Sequence, residues 1–100
     1  MAEIRFRLFS VLREVTGSPE VTLNLNDDLT VAEALRTLFT KYEMPLRNRY
    51  SLAAGRDILE RLLPHLLIFV NETAIRPSLV PETRVKNGDT ITVVEAIAGG

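Results

Sequence analysis

The chain has 100 residues, 46% of them hydrophobic and 25% charged, with a formal net charge of −1. This length and apolar content fit one small domain with one core. The near-neutral balance argues against a non-specific nucleic-acid binder, and the absence of cysteine excludes disulfides, thiolate catalysis and zinc–cysteine sites.

Of the 12 basic residues only Lys41 and Lys86 are lysines. The other basic residues are arginines, which suit bidentate contacts with carboxylates. Met1-Ala2-Glu3-Ile4-Arg5 lacks the apolar centre of a signal peptide. Leu62–Val70 is too short and interrupted to span a membrane, so a cytoplasmic protein is expected.

Ile4 to Phe9 alternates apolar and charged residues, the pattern of a half-buried strand with Ile4, Phe6 and Leu8 inward. Arg5, Arg7 and Phe9 then face outward. Val11 to Gly17 reads as a turn or short helical piece, broken by Gly17-Ser18-Pro19. Glu20 to Leu25 alternates again and completes a hairpin. After Asn26-Asp27-Asp28, Thr30 and Glu33 match a capping box. Val31, Ala34, Leu35, Leu38 and Tyr42 follow at helical spacing, predicting an amphipathic helix of about 12 residues that ends near Glu43-Met44-Pro45.

Leu46 to Pro64 is the least patterned stretch. Within it, Asp57 to Leu63 predicts a short helix capped by Asp57 and stopped by Pro64, either a lid over one end of the core or a contact for a partner. Leu66-Leu67-Ile68-Phe69-Val70 is an unbroken apolar run, the signature of a central strand buried on both faces. Asn71-Glu72 is a tight turn into a short edge strand, Thr73 to Ile75. Pro77 and Pro81 punctuate the next loop. Lys86 to Asp89 is a turn in which Gly88 can supply positive φ. Thr90 to Val94 is the last strand, with Ile91 and Val93 inward and Val94 outward.

The order is hairpin, helix, strand, edge strand, final strand. A strand–helix–strand crossover implies a parallel pairing. The expected fold is α+β: a mixed sheet of about five strands, one main helix across one face and a short second helix, a β-grasp arrangement. Residues 1–97 form the domain and residues 98–100 a flexible tail.

Gly99 and Gly100 close the sequence. Without a Cβ, such a tail can enter a narrow tunnel, and the Gly100 carboxylate is expected to be the reactive group there. Phe9, Arg13, Val94 and Ile97 are candidate docking residues at the base of the tail. His65, the only histidine, reads as a strand-edge residue rather than a metal ligand or base. Asp27-Asp28 reads as a turn and Glu14 as a solvated charge. The sequence shows neither a nucleophile–base–orienter set nor a phosphate-cradling glycine loop, so no catalytic site and no bound cofactor or metal are expected.

Several motifs carry a family resemblance. They are Phe9-Ser10-Val11-Leu12-Arg13-Glu14 with Gly17, Leu29-Thr30-Val31-Ala32-Glu33-Ala34-Leu35, Val70-Asn71, Asn87-Gly88-Asp89 and Gly99-Gly100. In that order over nearly the whole chain, they resemble the small sulfur carriers: molybdopterin synthase small subunits (MoaD-like), with thiamine sulfur carriers (ThiS-like) as relatives. The resemblance implies that Gly100 is adenylated with ATP by a ubiquitin-activating-like adenylyltransferase and converted to a thiocarboxylate, with Gly99 lining the tunnel. It implies sulfur donation to the molybdopterin synthase large subunit for the dithiolene of a molybdenum or tungsten cofactor, in a complex of two small and two large subunits. Relatives that act as ubiquitin-like modifiers, joining the terminal glycine to lysines, use the same carboxylate. A third reading is a non-catalytic binding module with an incidental tail. Many members carry prolines before the tail, where this chain has Glu95-Ala96. The Leu46–Pro64 segment is longer than in the compact thiamine carriers, which favours the molybdopterin side.

Overall fold

The computed structural model describes residues 1–96. Five strands form one mixed sheet: β1 (Ala2–Leu8), β2 (Glu20–Leu25), β3 (Leu66–Val70), β4 (Thr73–Ile75) and β5 (Thr90–Glu95), in the order β2-β1-β5-β3-β4. Four helices accompany it: α1 (Ser10–Thr16), α2 (Val31–Lys41), α3 (Glu43–Tyr50) and α4 (Ile58–Leu62). The parallel pair is β1 with β5, the first and last strands, and every other pairing is antiparallel. The fold is a ubiquitin-like β-grasp, with β5 at its centre. Among the described residues no helix is long and apolar enough to cross a membrane.

Alternation dictates which sheet face is covered. Ile4, Phe6 and Leu8 of β1 and Ile91 and Val93 of β5 are buried beneath the helices, as the sequence pattern predicts, while Arg5 and Arg7 stay exposed. The helix side is filled by Val31, Ala34, Leu35 and Leu38 of α2, with Leu12, Leu46, Leu59 and Leu62 from the other helices.

The capping box at α2 forms in full: the Glu33 amide donates to Thr30 Oγ1 at 3.1 Å, and the Thr30 amide donates to Glu33 Oε1 at 3.0 Å. Two further first-turn amides, of Val31 and Ala32, donate to the carbonyls of Thr83 and Val80. These contacts satisfy donors that a helix start otherwise leaves unpaired.

The turns named by the sequence motifs hold the central strands together. Asn71 takes φ 56°, a left-handed conformation that asparagine tolerates, and Gly88 takes φ 90°. The Thr90 amide donates to Asn71 Oδ1 at 3.0 Å, and Asn71 Nδ2 donates to Asp89 Oδ1 at 3.2 Å. On the other side, the Glu3 amide donates to Asn87 Oδ1 at 2.8 Å, and the Gly88 amide to the Glu3 carbonyl at 2.8 Å. The two motifs therefore clip both neighbours of β5 to its beginning.

Two sequence expectations are corrected, the number of helices and the burial of β3. The main helix ends at Lys41 with Tyr42 as its C-cap, near Glu43-Met44-Pro45 as the sequence predicts, but a further helix, α3, begins at once. Pro45 sits in the first turn of α3, where its missing N–H removes no intrahelical bond. The helical count is thus four, rather than one main and one short helix. β3 is not buried on both faces: Leu66 and Ile68 point into the core, whereas Leu67 is 52% exposed. An antiparallel neighbourhood with helices on one side only needs one apolar face, so the unbroken run overstates the burial. The Leu46–Pro64 segment joins buried apolar anchors, Leu46, Ile58, Leu59 and Leu62, to a set of polar contacts. Arg47 donates to Glu43 Oε2 at 3.2 Å and to the carbonyls of Ala53 and Arg56 at 2.7 and 2.8 Å. α4 follows, with Asp57 as its N-cap, as the sequence predicts, accepting from the Leu59 amide at 3.1 Å.

Candidate functional site

The site is built where β5 leaves the sheet. Because β5 is central, with β1 on one side and β3 on the other, its last residues are fixed from both edges. Its final residue, Glu95, stands opposite Leu66, and the next amide, of Ala96, donates to the His65 carbonyl at 2.7 Å. His65 closes a short 3₁₀ turn ahead of β3, so its part here is a backbone one.

Strand alternation puts Glu95 on the same side as Ile91 and Val93, facing the helices. Its carboxylate meets the Tyr50 hydroxyl, which donates to Glu95 Oε2. Tyr50 is the last residue of α3 and packs against the core. Burial, and then the hydrogen bond to Glu95, push its phenol well above the ordinary tyrosine range. The hydroxyl therefore stays protonated and able to donate across the whole neutral range.

The open sheet face carries a second set of residues. Directly paired residues share a face, so Glu20, Arg7, Thr92, Phe69 and Ala74 form one row across all five strands. Val94 lies opposite Leu67 in the next row toward the tail. Phe9 follows β1 with an extended backbone and caps α1, and its ring centroid is 5.8 Å from the Arg7 guanidinium. Phe9, Val94, Leu67 and Phe69 thus bring apolar surface, with the Arg7 guanidinium beside it, to the open face toward the end of β5.

The sequence-predicted docking residues divide accordingly. Phe9 and Val94 lie on the open face. Arg13 is exposed on α1 and lines a shallow hollow with Ser10, Glu14, Gly17, Ser18 and Pro19, a surface that does not include Val94. Ile97, Gly99 and Gly100 lie outside the described residues. Sequence reasoning missed Leu67 and Phe69, which the apolar run assigned to the interior. It also missed Tyr50 and Glu95. The one available signal was the period of β5, where Glu95 follows Ile91 and Val93 at the same spacing.

Fold and site define a ubiquitin-like β-grasp domain whose central last strand leads to a di-glycine end. The chain belongs to the ThiS family, whose model matches residues 6–100. It is 29% identical over 99 residues to small archaeal modifier protein 3 of Haloferax volcanii, covering 98% of this chain and 99% of that protein. The solution structure of small archaeal modifier protein 1 from Methanosarcina acetivorans matches with a TM-score of 0.72 and 30% identity, covering 100% of this chain and 98% of the other. A candidate molybdopterin converting factor subunit 1 from Pyrococcus furiosus shares the fold, with a TM-score of 0.62 and 17% identity over 97% of this chain and all of the other.

Proposed function

We propose that this chain is a ubiquitin-like carrier that works through the carboxylate of Gly100. The observation that carries the reading is the family match, which runs through Gly99 and Gly100 on a domain whose central strand leads to them. A carboxylate resists nucleophiles because its charge is delocalised. In the proposed first step one Gly100 oxygen attacks the α-phosphorus of ATP, pyrophosphate leaves, and an acyl-adenylate remains. A ubiquitin-activating-like adenylyltransferase performs this step, and the β-grasp domain supplies the handle by which the arm is presented. Hydrosulfide displacing AMP leaves a thiocarboxylate once its proton is lost; a lysine amine displacing AMP, with loss of a proton, leaves an isopeptide. Gly99 serves passage, since a side chain there would obstruct a tunnel built for bare backbone.

Conjugation to lysines is the fate favoured by similarity to two proteins named as modifiers, at 29% and 30% identity over nearly the full length. Sulfur transfer to the large subunit of molybdopterin synthase, in a complex of two small and two large subunits, is the second reading. It is favoured by the chain's own family and by the fold shared with the converting factor subunit. Both place the protein in the cytoplasm, where ATP is at hand. In both, Phe9, Leu67, Phe69 and Val94 dock the partner while the arm reaches inward, and Arg13 and Ile97 stay candidate contacts from the sequence.

The test is ATP–pyrophosphate exchange by the cognate adenylyltransferase. Exchange that requires this protein and is lost on deleting Gly100 is expected. Undiminished exchange without Gly100 would overturn the assignment of the reactive carboxylate.

A further inference from the structure

We propose that Tyr50 is a positioning residue for the C-terminal arm, holding Glu95 so that residues 97–100 depart from a fixed point at the end of β5. The inference rests on the carrier reading and names the element that regulates its presentation step.

Position is the first argument. Ile91, Val93 and Glu95 share the helix-facing side of β5, and the first two are fully buried. An apolar residue would satisfy that side of the strand without any partner. A carboxylate there loses water and has to be matched by a donor. That donor comes from 45 residues away, on a separate helix, and engages the last strand residue rather than an interior one.

Rigidity is the second. Tyr50 ends α3, whose following residue Ser51 closes the helix in a left-handed conformation at φ 55°, and the Leu52 amide donates back to the Arg47 carbonyl at 2.9 Å. Arg47 in turn grips the loop beyond through Ala53 and Arg56. The phenol is thus carried on a braced element, not on a free loop.

Convergence is the third. Glu95 is held through its side chain by Tyr50 on the helix side, and Ala96 through its backbone by His65 at the neighbouring strand. Two consecutive residues are tied from two directions, where a strand end with nothing after it to present needs neither. Residues already ordered in the free protein cost a partner no further conformational entropy on docking, so pre-ordering appears as affinity rather than as rate. The Leu46–Pro64 segment, which also contributes Leu46, Leu59 and Leu62 to the core, is then the bracket that supplies Tyr50.

The experiment uses the full chain with its cognate adenylyltransferase and ATP, and compares wild type with Tyr50→Phe, Glu95→Ala and Glu95→Gln. Tyr50→Phe keeps the packed ring and removes only the hydroxyl. It is expected to raise the KM for the carrier about fivefold, the factor that one lost hydrogen bond of ordinary strength represents, with kcat unchanged. Glu95→Ala is expected to match it, the double variant to add nothing, and Glu95→Gln, which keeps an acceptor oxygen, to restore the wild-type KM. In the free protein, amide exchange at Ala96 accelerates in Tyr50→Phe while that of Ile91 and Val93 does not. An unchanged KM in both Tyr50→Phe and Glu95→Ala, with wild type activated normally, overturns the proposal alone. A fall in kcat without a change in KM also overturns it. Failure of wild type to be activated overturns the carrier reading, and this inference with it.

Discussion

Replacing Arg47 with methionine keeps the length and apolar stem of the side chain and removes its donors. In the native fold those donors serve Glu43 Oε2 at 3.2 Å and the carbonyls of Ala53 and Arg56 at 2.7 and 2.8 Å. The Arg47 side chain is only 13% exposed, whereas Glu43 is 46% exposed, so the ion pair itself is worth little. The two carbonyl bonds from a charged donor dominate, and water recovers part of each when it is lost. A net cost of about 1.5–2 kcal/mol follows. For a domain of this size that is a fall in Tm of roughly 6–16 °C. Arg47→Lys is expected to keep most of the loss, because one ammonium cannot span three acceptors. Urea unfolding followed by circular dichroism gives the free energy, and limited proteolysis between residues 51 and 57 reports the loop. Wild-type stability together with an unchanged cleavage rate in Arg47→Met would refute the claim that this arginine organises the segment.

Other positions give separate tests. Leu67→Asp, on the open face, is expected to change folding stability by less than about 0.5 kcal/mol while raising the Kd for the adenylyltransferase about tenfold, read by calorimetry of each. Equal losses of folding and binding would place Leu67 in the core instead. Thr30→Ala removes the cap of α2 and should cost about 1 kcal/mol in chemical denaturation. Burial of Asp57 acts to raise its carboxyl, but the Arg36 guanidinium, at 3.0 and 3.1 Å, together with the backbone amides of Glu60 and Leu59, outweighs it and holds the group below the ordinary aspartate range. Its contribution to stability is therefore present above about pH 4, the unfolded value, and is lost as pH falls through the lower folded one. Asp57→Asn should flatten that acid limb of the stability profile, and an unaltered limb would contradict the pairing.

What was legible in the sequence was local. Thr30 and Glu33 are three residues apart and satisfy each other, so the helix start could be read without knowing the fold. Asn71 and Gly88 declared their turns through the backbone angles they tolerate. Ile4, Phe6 and Leu8 announced a covered face by period alone. Leu66 to Val70 misled because hydrophobicity does not say whether one face of a strand is covered or two, and Leu67 lies on the open one. α3 was hidden for a related reason: of its residues only Leu46 is buried, so no apolar stripe marks it, and Arg47 braces it through contacts up to nine residues on. Tyr50 and Glu95 are the extreme case, since nothing in either neighbourhood points across the separation of 45 positions. Gly99-Gly100, expected from the sequence to be the reactive end, lies outside the described residues.

The central claim is that Gly100 is the chemical end of the molecule. Intact mass of the protein after incubation with its adenylyltransferase, ATP and a sulfur source tests it most directly. The expected result is either a shift equal to one oxygen replaced by sulfur or, with lysine-bearing acceptors, conjugates joined through Gly100, and both vanish when Gly100 is deleted. An unmodified mass in the presence of a demonstrably active enzyme, or modification that survives the deletion, would contradict it.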